Sequence, residues 1–229
     1  MSFLTPRLFA IANMISDREV VADIGTDHAY LSIYLAKDKR ASKIFATDIN
    51  EKPLAVAKNN IMSFGVADKI ELLLADGIEW IREKDLKISS CIMAGMGSGT
   101  ILKILEDDCK NIDCYVISSN TDVEPIRKWA KSKKYFIERE EIILDNDIIY
   151  EIIKINKFAG QKIKTKEDLI FGPILYKTKH NQYFLTKWME EEQKLTTLLN
   201  QIPKNEKKYK EFLKRKNIIT KMLKKENSN

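Results

Sequence analysis

Between residues 20 and about 133, five short runs rich in β-branched residues alternate with segments of helical period, and this alternation leaves few folds open. The strand candidates are Val20–Ile24, Ile44–Asp48, Ile70–Asp76, Ser90–Ala94 and Tyr115–Asn120; the helical segments lie near 52–64, 77–84, 98–107 and 123–133. Strands separated in this way pair in parallel through right-handed crossovers. The pattern then changes. Tyr135–Leu144 and Ile148–Ile155 are divided only by Asp145-Asn146-Asp147, a turn sequence, and predict an antiparallel hairpin. The expected fold is α/β, a mostly parallel Rossmann-like sheet with an antiparallel hairpin at its C-terminal end.

After residue 158 a polar connector, Gly160–Gly172, leads into Phe171-Gly172-Pro173, and the period becomes helical again. Trp188, Leu195 and Ile202 fall seven apart, as do Leu185, Glu192 and Leu199; Pro203-Lys204-Asn205 breaks the run before a second helix lined by Tyr209, Phe212, Leu213, Ile219, Met222 and Leu223. Two long helices joined by a short turn predict an antiparallel coiled-coil hairpin. The expected division is therefore residues 1–158, holding the sheet, and residues 159–229, a helical extension. Charge follows the same division: residues 1–155 carry 21 Lys+Arg against 25 Asp+Glu, and residues 156–229 carry 18 against 8. A basic excess confined to the last third is either a solvated helical surface or a face for a polyanion.

Other features narrow the class. No stretch approaches the roughly 20 apolar residues of a membrane span, and the short apolar run Leu8-Phe9-Ala10-Ile11-Ala12 fits an amphipathic helix better than a signal peptide. Cys91, Cys109 and Cys114 are scattered, with no C-x-x-C pair, as in a reducing cytoplasm. With only His28 and His180 as histidines, no metal site is expected.

Three acids stand at the ends of successive strand candidates: Asp23, Asp48 and Asp76. In an open α/β sheet a ligand binds outside those ends, at the point where strand order reverses. A single acid there serves equally well as a helix cap; three in succession point to a ligand. Asp23-Ile24-Gly25-Thr26-Asp27-His28 reads as a sharp turn in which Gly25 admits close backbone approach, with Thr26, His28 and Tyr30 around it. Asp48, with Ile49 beside it, sits where an acid accepts both ribose hydroxyls. Asp76-Gly77 suits an adenine amino group and leaves room for the ring. Neither a Gly-x-Gly-x-x-Gly turn after the first strand nor a P-loop is present. Acids without a phosphate cradle suit a cationic, phosphate-free adenosine ligand, and S-adenosylmethionine fits, with S-adenosylhomocysteine as its product.

The fourth strand ends in Ala94-Gly95-Met96-Gly97-Ser98-Gly99, either a tight helix-start turn or the floor beside a transferable methyl. Ser118-Ser119-Asn120 ends the fifth strand at the same pocket, and Asn120 is either a neighbour of a helix cap or an amide that reads a base edge.

Together, the run Asp23-Ile24-Gly25-Thr26-Asp27-His28-Ala29-Tyr30-Leu31, Asp76-Gly77, Ala94-Gly95-Met96-Gly97 and the late Ile149-Tyr150-Glu151-Ile152-Ile153 resemble the bacterial tRNA (adenine-22-N1)-methyltransferase family. The likeness extends to the opening Leu4-Thr5-Pro6-Arg7-Leu8 and to the Phe171-Gly172-Pro173 entry into the helical extension. The chain departs from the family pattern at Ser98, where relatives carry a second consecutive glycine, at Ser118-Ser119-Asn120, where they carry Gln-Pro-Asn, and in the Asp145-Asn146-Asp147 turn. The resemblance implies a class I methyltransferase sheet, S-adenosylmethionine as cofactor, and methyl transfer to N1 of an adenosine in the D-arm region of tRNA, position 22. Neutral adenine N1 has a free lone pair, so proximity and electrostatics suffice without a strong general base. The expected catalytic residues are Asn120, Asp27 and Gly95, the last two facing the charge that develops on the base. A cytoplasmic enzyme follows, with tRNA as partner, no membrane association, and a monomer as the favoured state. Two other functions fit the same residues: a non-catalytic RNA-binding or adaptor protein on a methyltransferase scaffold, and a small-molecule methyltransferase whose basic helices serve dimerisation.

Overall fold

A computed structural model of the chain describes residues 4–38, 40–178 and 181–226; His180 lies outside the described residues. The elements run α1 (Pro6–Asn13), β1 (Glu19–Ile24), α2 (Tyr30–Lys37), β2 (Ala41–Asp48), α3 (Glu51–Ser63), β3 (Ile70–Leu74), α4 (Glu79–Glu83), β4 (Ile88–Met96), α5 (Ser98–Ile104), β5 (Ile112–Ser119), α6 (Glu124–Ser132), β6 (Phe136–Asp145), β7 (Ile148–Asn156), α7 (Lys166–Phe171), α8 (Gln182–Gln201) and α9 (Lys207–Glu226). One seven-stranded sheet has the order β3-β2-β1-β4-β5-β7-β6. The first five strands are parallel, and β7 pairs antiparallel with both β5 and β6. Strand order reverses between β1 and β4, so the crevice at their C-terminal ends is where a ligand is expected.

Side chains alternate between the two faces of the sheet. One core holds Val21, Ile44, Ile92 and Val116 with α1 and α2; the other holds Ala22, Met93, Tyr115 and Ile117 with α4, α5 and α6. The alternation left α2 unannounced because that helix is apolar nearly all round, with Leu31, Ser32, Ile33, Leu35 and Ala36 all buried. A helix with no polar stripe has no readable period. Strand β3 ends at Leu74, so Asp76 stands in the loop beyond the strand rather than within it. The hairpin turn is as expected: Asn146 and Asp147 both take positive φ, +48° and +60°, the mirror-image turn whose twist matches the flanking strands.

Helix α1 opens with Thr5 as its cap, the hydroxyl accepting from Leu8 N, and with Pro6 in its first turn. Three cations from distant parts of the chain close its other end. Arg40 Nη1 donates to Ala12 O (3.3 Å), Arg139 Nη1 to Asn13 O (2.7 Å) and Lys154 Nζ to Met14 O (3.0 Å). The last two engage carbonyls at the helix end, and Arg40 adds to Ala12 O, which also accepts from Ile15 N.

The compact unit carrying the sheet runs to Leu175, past the boundary expected at 158. Ile163, Ile170, Phe171 and Leu175 are buried, and a buried ion cluster ties the segment down. Arg127, on α6, is fully buried; its Nε donates to Glu140 Oε1 (2.9 Å), its Nη2 to Glu151 and its Nη1 to Ile170 O (3.2 Å). Glu140 Oε2 accepts in turn from Ile174 N (2.8 Å) and Leu175 N (3.2 Å). Gly172, at φ +88°, lies against that carboxylate, where a Cβ would collide with both oxygens. Burial pushes the Glu140 carboxyl up, and the Arg127 charge pulls it back.

Residues 176–226 form a second unit. Helices α8 and α9, joined through residues 202–206, pack on each other as a helical hairpin, with Leu195, Ile219 and Met222 buried. Glu192, the one acid in the expected apolar seam, accepts from the Thr220 hydroxyl, and Glu191 pairs with Arg215 (3.1 Å). No described helix is long and apolar enough to cross a membrane.

Candidate active site

At the C-terminal ends of β1, β2, β3 and β4 lies a cleft of about 1030 Å³. Asp23, Gly25, Thr26, Asp27, His28, Tyr30, Asp48, Ile49, Asp76, Gly77, Ala94, Gly95, Met96 and Asn120 line it, whereas Ser118 and Ser119, expected at the same pocket, are buried in β5 and do not. One loop per strand explains the convergence, since parallel strands deliver all their outgoing loops to one edge.

Asp23 is 5% exposed, and its Oδ2 accepts from the hydroxyls of Thr26 (2.8 Å) and Ser32 (2.7 Å). Burial pushes its carboxyl above the ordinary range, and those two hydrogen bonds pull it down. The loop that follows folds back on β2, with Gly25 N and Thr26 N both donating to Thr47 O. Three of its residues take positive φ: Gly25 (+72°), Asp27 (+53°) and Ala29 (+60°). For glycine this costs little, whereas each of the others costs about 1 kcal/mol, strain of the kind that gathers at functional sites. Met96 Cε lies 3.7 Å from where a Cβ at Gly25 would stand, ordinary van der Waals contact, so the two residues adjoin on one floor.

After β2, Asp48 Oδ1 accepts from Asn50 N (2.9 Å), which orients the carboxylate and leaves a second oxygen for a ligand. Ile49 beside it is 64% exposed, an apolar side chain held open at the cleft. After β3, Gly77 takes φ +68°, with Ile104 of α5 close by and also in the wall. Asp27 and His28 are exposed neighbours, Oδ2 to Nε2 3.7 Å.

The opposite wall comes from further along the chain. Asn120 N donates to Met96 O (2.9 Å), its Nδ2 to Gly95 O (2.7 Å), and its Oδ1 accepts from Arg7 Nη1 (3.0 Å). The Arg7 guanidinium carbon lies 4.6 Å from the centre of the Tyr150 ring, a cation–π contact. Sequence reasoning gave neither Arg7 nor Tyr150 a role, although both stand in the segments that carry the family resemblance. Lys103, Ile104 and Asp107, also in the wall, were read only as parts of a packing helix. Among the described residues no group of three or more His, Cys, Asp or Glu could hold a metal ion.

The family model described as tRNA (adenine(22)-N(1))-methyltransferase matches residues 21–225. A Bacillus subtilis protein of that name is 29% identical over 235 residues, 96% of this chain and 97% of that protein. The TrmK protein of M. capricolum, solved with S-adenosyl-homocysteine, superposes with a TM-score of 0.90 at 38% identity, covering 96% of this chain and 98% of the other. Streptococcus pneumoniae Sp1610, solved with S-adenosyl-L-methionine, gives 0.85 at 28% identity, with 96% and 100% covered. With the matched span running from β1 to the end of α9 and the acid-lined cleft inside it, the chain belongs to the tRNA (adenine(22)-N(1))-methyltransferase family.

Proposed function

We propose that the cleft transfers a methyl group from S-adenosylmethionine to N1 of adenine 22 in tRNA, with the acids after β1, β2 and β3 holding the cofactor and Asn120 and Asp27 facing the base. The observation that carries this reading is the convergence of Asp23, Asp48 and Asp76 on one cleft that also holds Asn120. The chemistry of the donors fits the cofactor: a buried carboxylate for an ammonium, a half-engaged carboxylate for a ribose diol, an exposed acid beside a glycine for an adenine amino group, and no phosphate cradle. When bound, S-adenosylmethionine supplies a methyl activated by its sulfonium.

The remaining work falls to side chains and backbone. Asp23, already oriented by Thr26 and Ser32, binds the ammonium. Asp48 accepts the ribose hydroxyls, and Ile49 packs on the purine. Gly25, Gly95 and Met96 form the floor beside the methyl, and Thr26, His28 and Tyr30 shape the turn around it. Adenine N1 attacks as a neutral lone pair, so positioning, not deprotonation, limits the step. The base becomes cationic, and Asp27 and the Gly95 carbonyl offset that charge.

An adenine within the tRNA core has to be extruded, at a cost of a few kcal/mol. The basic excess of residues 156–229 offsets it through phosphate contacts. In this reading the sheet-bearing unit is catalytic and the helical unit binds RNA. The enzyme acts in the cytoplasm as a monomer. Labelled S-adenosylmethionine and unmodified tRNA transcripts test this directly: 1-methyladenosine at position 22 is expected, and cofactor binding without incorporation would reject the acceptor.

A further inference from the structure

We infer that Arg7 and the Gly95 carbonyl lock the Asn120 amide into the one orientation that reads the adenine N6 and N7 edge, leaving N1 clear for the methyl. The inference deepens the reading of the acceptor side given above and rests on it.

An asparagine amide has two faces of opposite character, and its direction is settled by its neighbours. Here Asn120 Oδ1 meets a guanidinium donor at 3.0 Å, and Nδ2 meets a carbonyl at 2.7 Å. Turning the amide over would set donor against donor and acceptor against acceptor. Arg7 cannot yield, since it can only donate; nor can Gly95 O, which can only accept. The lock is itself braced. The Tyr150 ring lies under the guanidinium. Helix α1, which carries Arg7, is capped at Thr5 and clamped at its far end by Arg40, Arg139 and Lys154.

Each fixing bond uses half of what the group offers. Oδ1 keeps one lone pair, and Nδ2 keeps one hydrogen. An acceptor and a donor side by side on one amide complement the adenine N6–H and N7, the bidentate pairing by which Asn recognises adenine. N1 is not used by that pairing. Guanine presents O6 in place of the amino group and would set acceptor against acceptor. Arg7 is thus a positioning residue, acting on the base through Asn120.

The test uses two tRNA transcripts, one with adenosine and one with 7-deazaadenosine at position 22, under saturating cofactor and single turnover. Removing N7 makes N1 more basic, so a slower reaction cannot come from a weaker nucleophile. The wild-type chain is expected to lose about tenfold on the 7-deaza transcript, the effect of one hydrogen bond. Asn120→Ala should be slow on the adenosine transcript and carry no added penalty on the 7-deaza one, and Arg7→Met should do the same while binding S-adenosylmethionine within about twofold of wild type. Arg7→Lys, which keeps a donor without the planar fork, should recover part of the discrimination. A brace with only a structural role would slow both transcripts alike and leave the ratio intact. The same 7-deaza to adenosine rate ratio in wild type and Asn120→Ala would overturn the assignment. No methyl on the adenosine transcript would overturn the reaction itself, and this assignment with it.

Discussion

On the proposed cofactor side of the cleft, each acid belongs to its own strand and loop, and its supporting bonds are local: Asp23 to Thr26 and Ser32, Asp48 to Asn50. On the acceptor side, Arg7 and Asn120 meet across 113 residues, and Tyr150 reaches them from the far hairpin. The first wall is written as short motifs. The second exists only once the sheet has closed from α1 to β7. Local motifs can hold a cofactor common to many enzymes, whereas an assembly from across the chain can be specific to one acceptor.

The largest expected effect tests what the far-sourced wall leans on. Arg127→Met leaves the carboxylates of Glu140 and Glu151 buried without their cation, and should cost about 3–5 kcal/mol in urea unfolding. A change under 1 kcal/mol would mean that the β6–β7 hairpin is held by apolar packing alone. Asp23→Asn comes next, with S-adenosylmethionine affinity expected to fall by about 10–100-fold in a calorimeter. pH adds a sign to this. A carboxyl raised on folding contributes stability below its unfolded value and loses it as pH rises through the folded one. Its ionised form is therefore unfavourable in the empty cleft and is relieved by an ammonium. Cofactor affinity should rise with pH through that window, and the slope should vanish in Asp23→Asn.

Salt separates the two walls again. Methyl transfer to tRNA should weaken by about tenfold or more between roughly 50 and 200 mM salt, while cofactor affinity changes little. A flat response would remove the basic helices from RNA binding. The smallest effect is expected at Ile49, where Ala should weaken the cofactor about threefold to tenfold by removing apolar contact. No change there would place the purine elsewhere along the wall.

Much of this was legible in the sequence, for reasons that differ by region. Parallel strands announce themselves by β-branched runs, and an acid after each run is visible without coordinates. Helix α2 was silent because its open side carries Tyr30 and Tyr34, themselves aromatic, so no polar stripe marks its period. Arg127 was silent because a buried arginine looks, in sequence, like any cation on an amphipathic helix; its partners lie 13 and 24 residues away on two other strands. The same cluster carries the sheet-bearing unit to Leu175, since nothing in Gly160–Gly172 tells a free linker from one leading to Ile174 and Leu175, whose amides bond to Glu140. Asn120 was recognised as a candidate, but its orientation depends on Arg7, which no spacing rule connects to it.

The clamp on α1 also sets an order of events during synthesis. The carbonyl of Met14 is bonded by Lys154, 140 residues later, and that of Asn13 by Arg139, 126 residues later. A chain leaving the ribosome N-terminus first therefore synthesises this segment at the outset and can finish docking it only after the last strand has emerged. Until then the nascent protein carries the strand-end acids without the Arg7–Asn120–Tyr150 wall, so the proposed acceptor side is the last part of the cleft that folding completes.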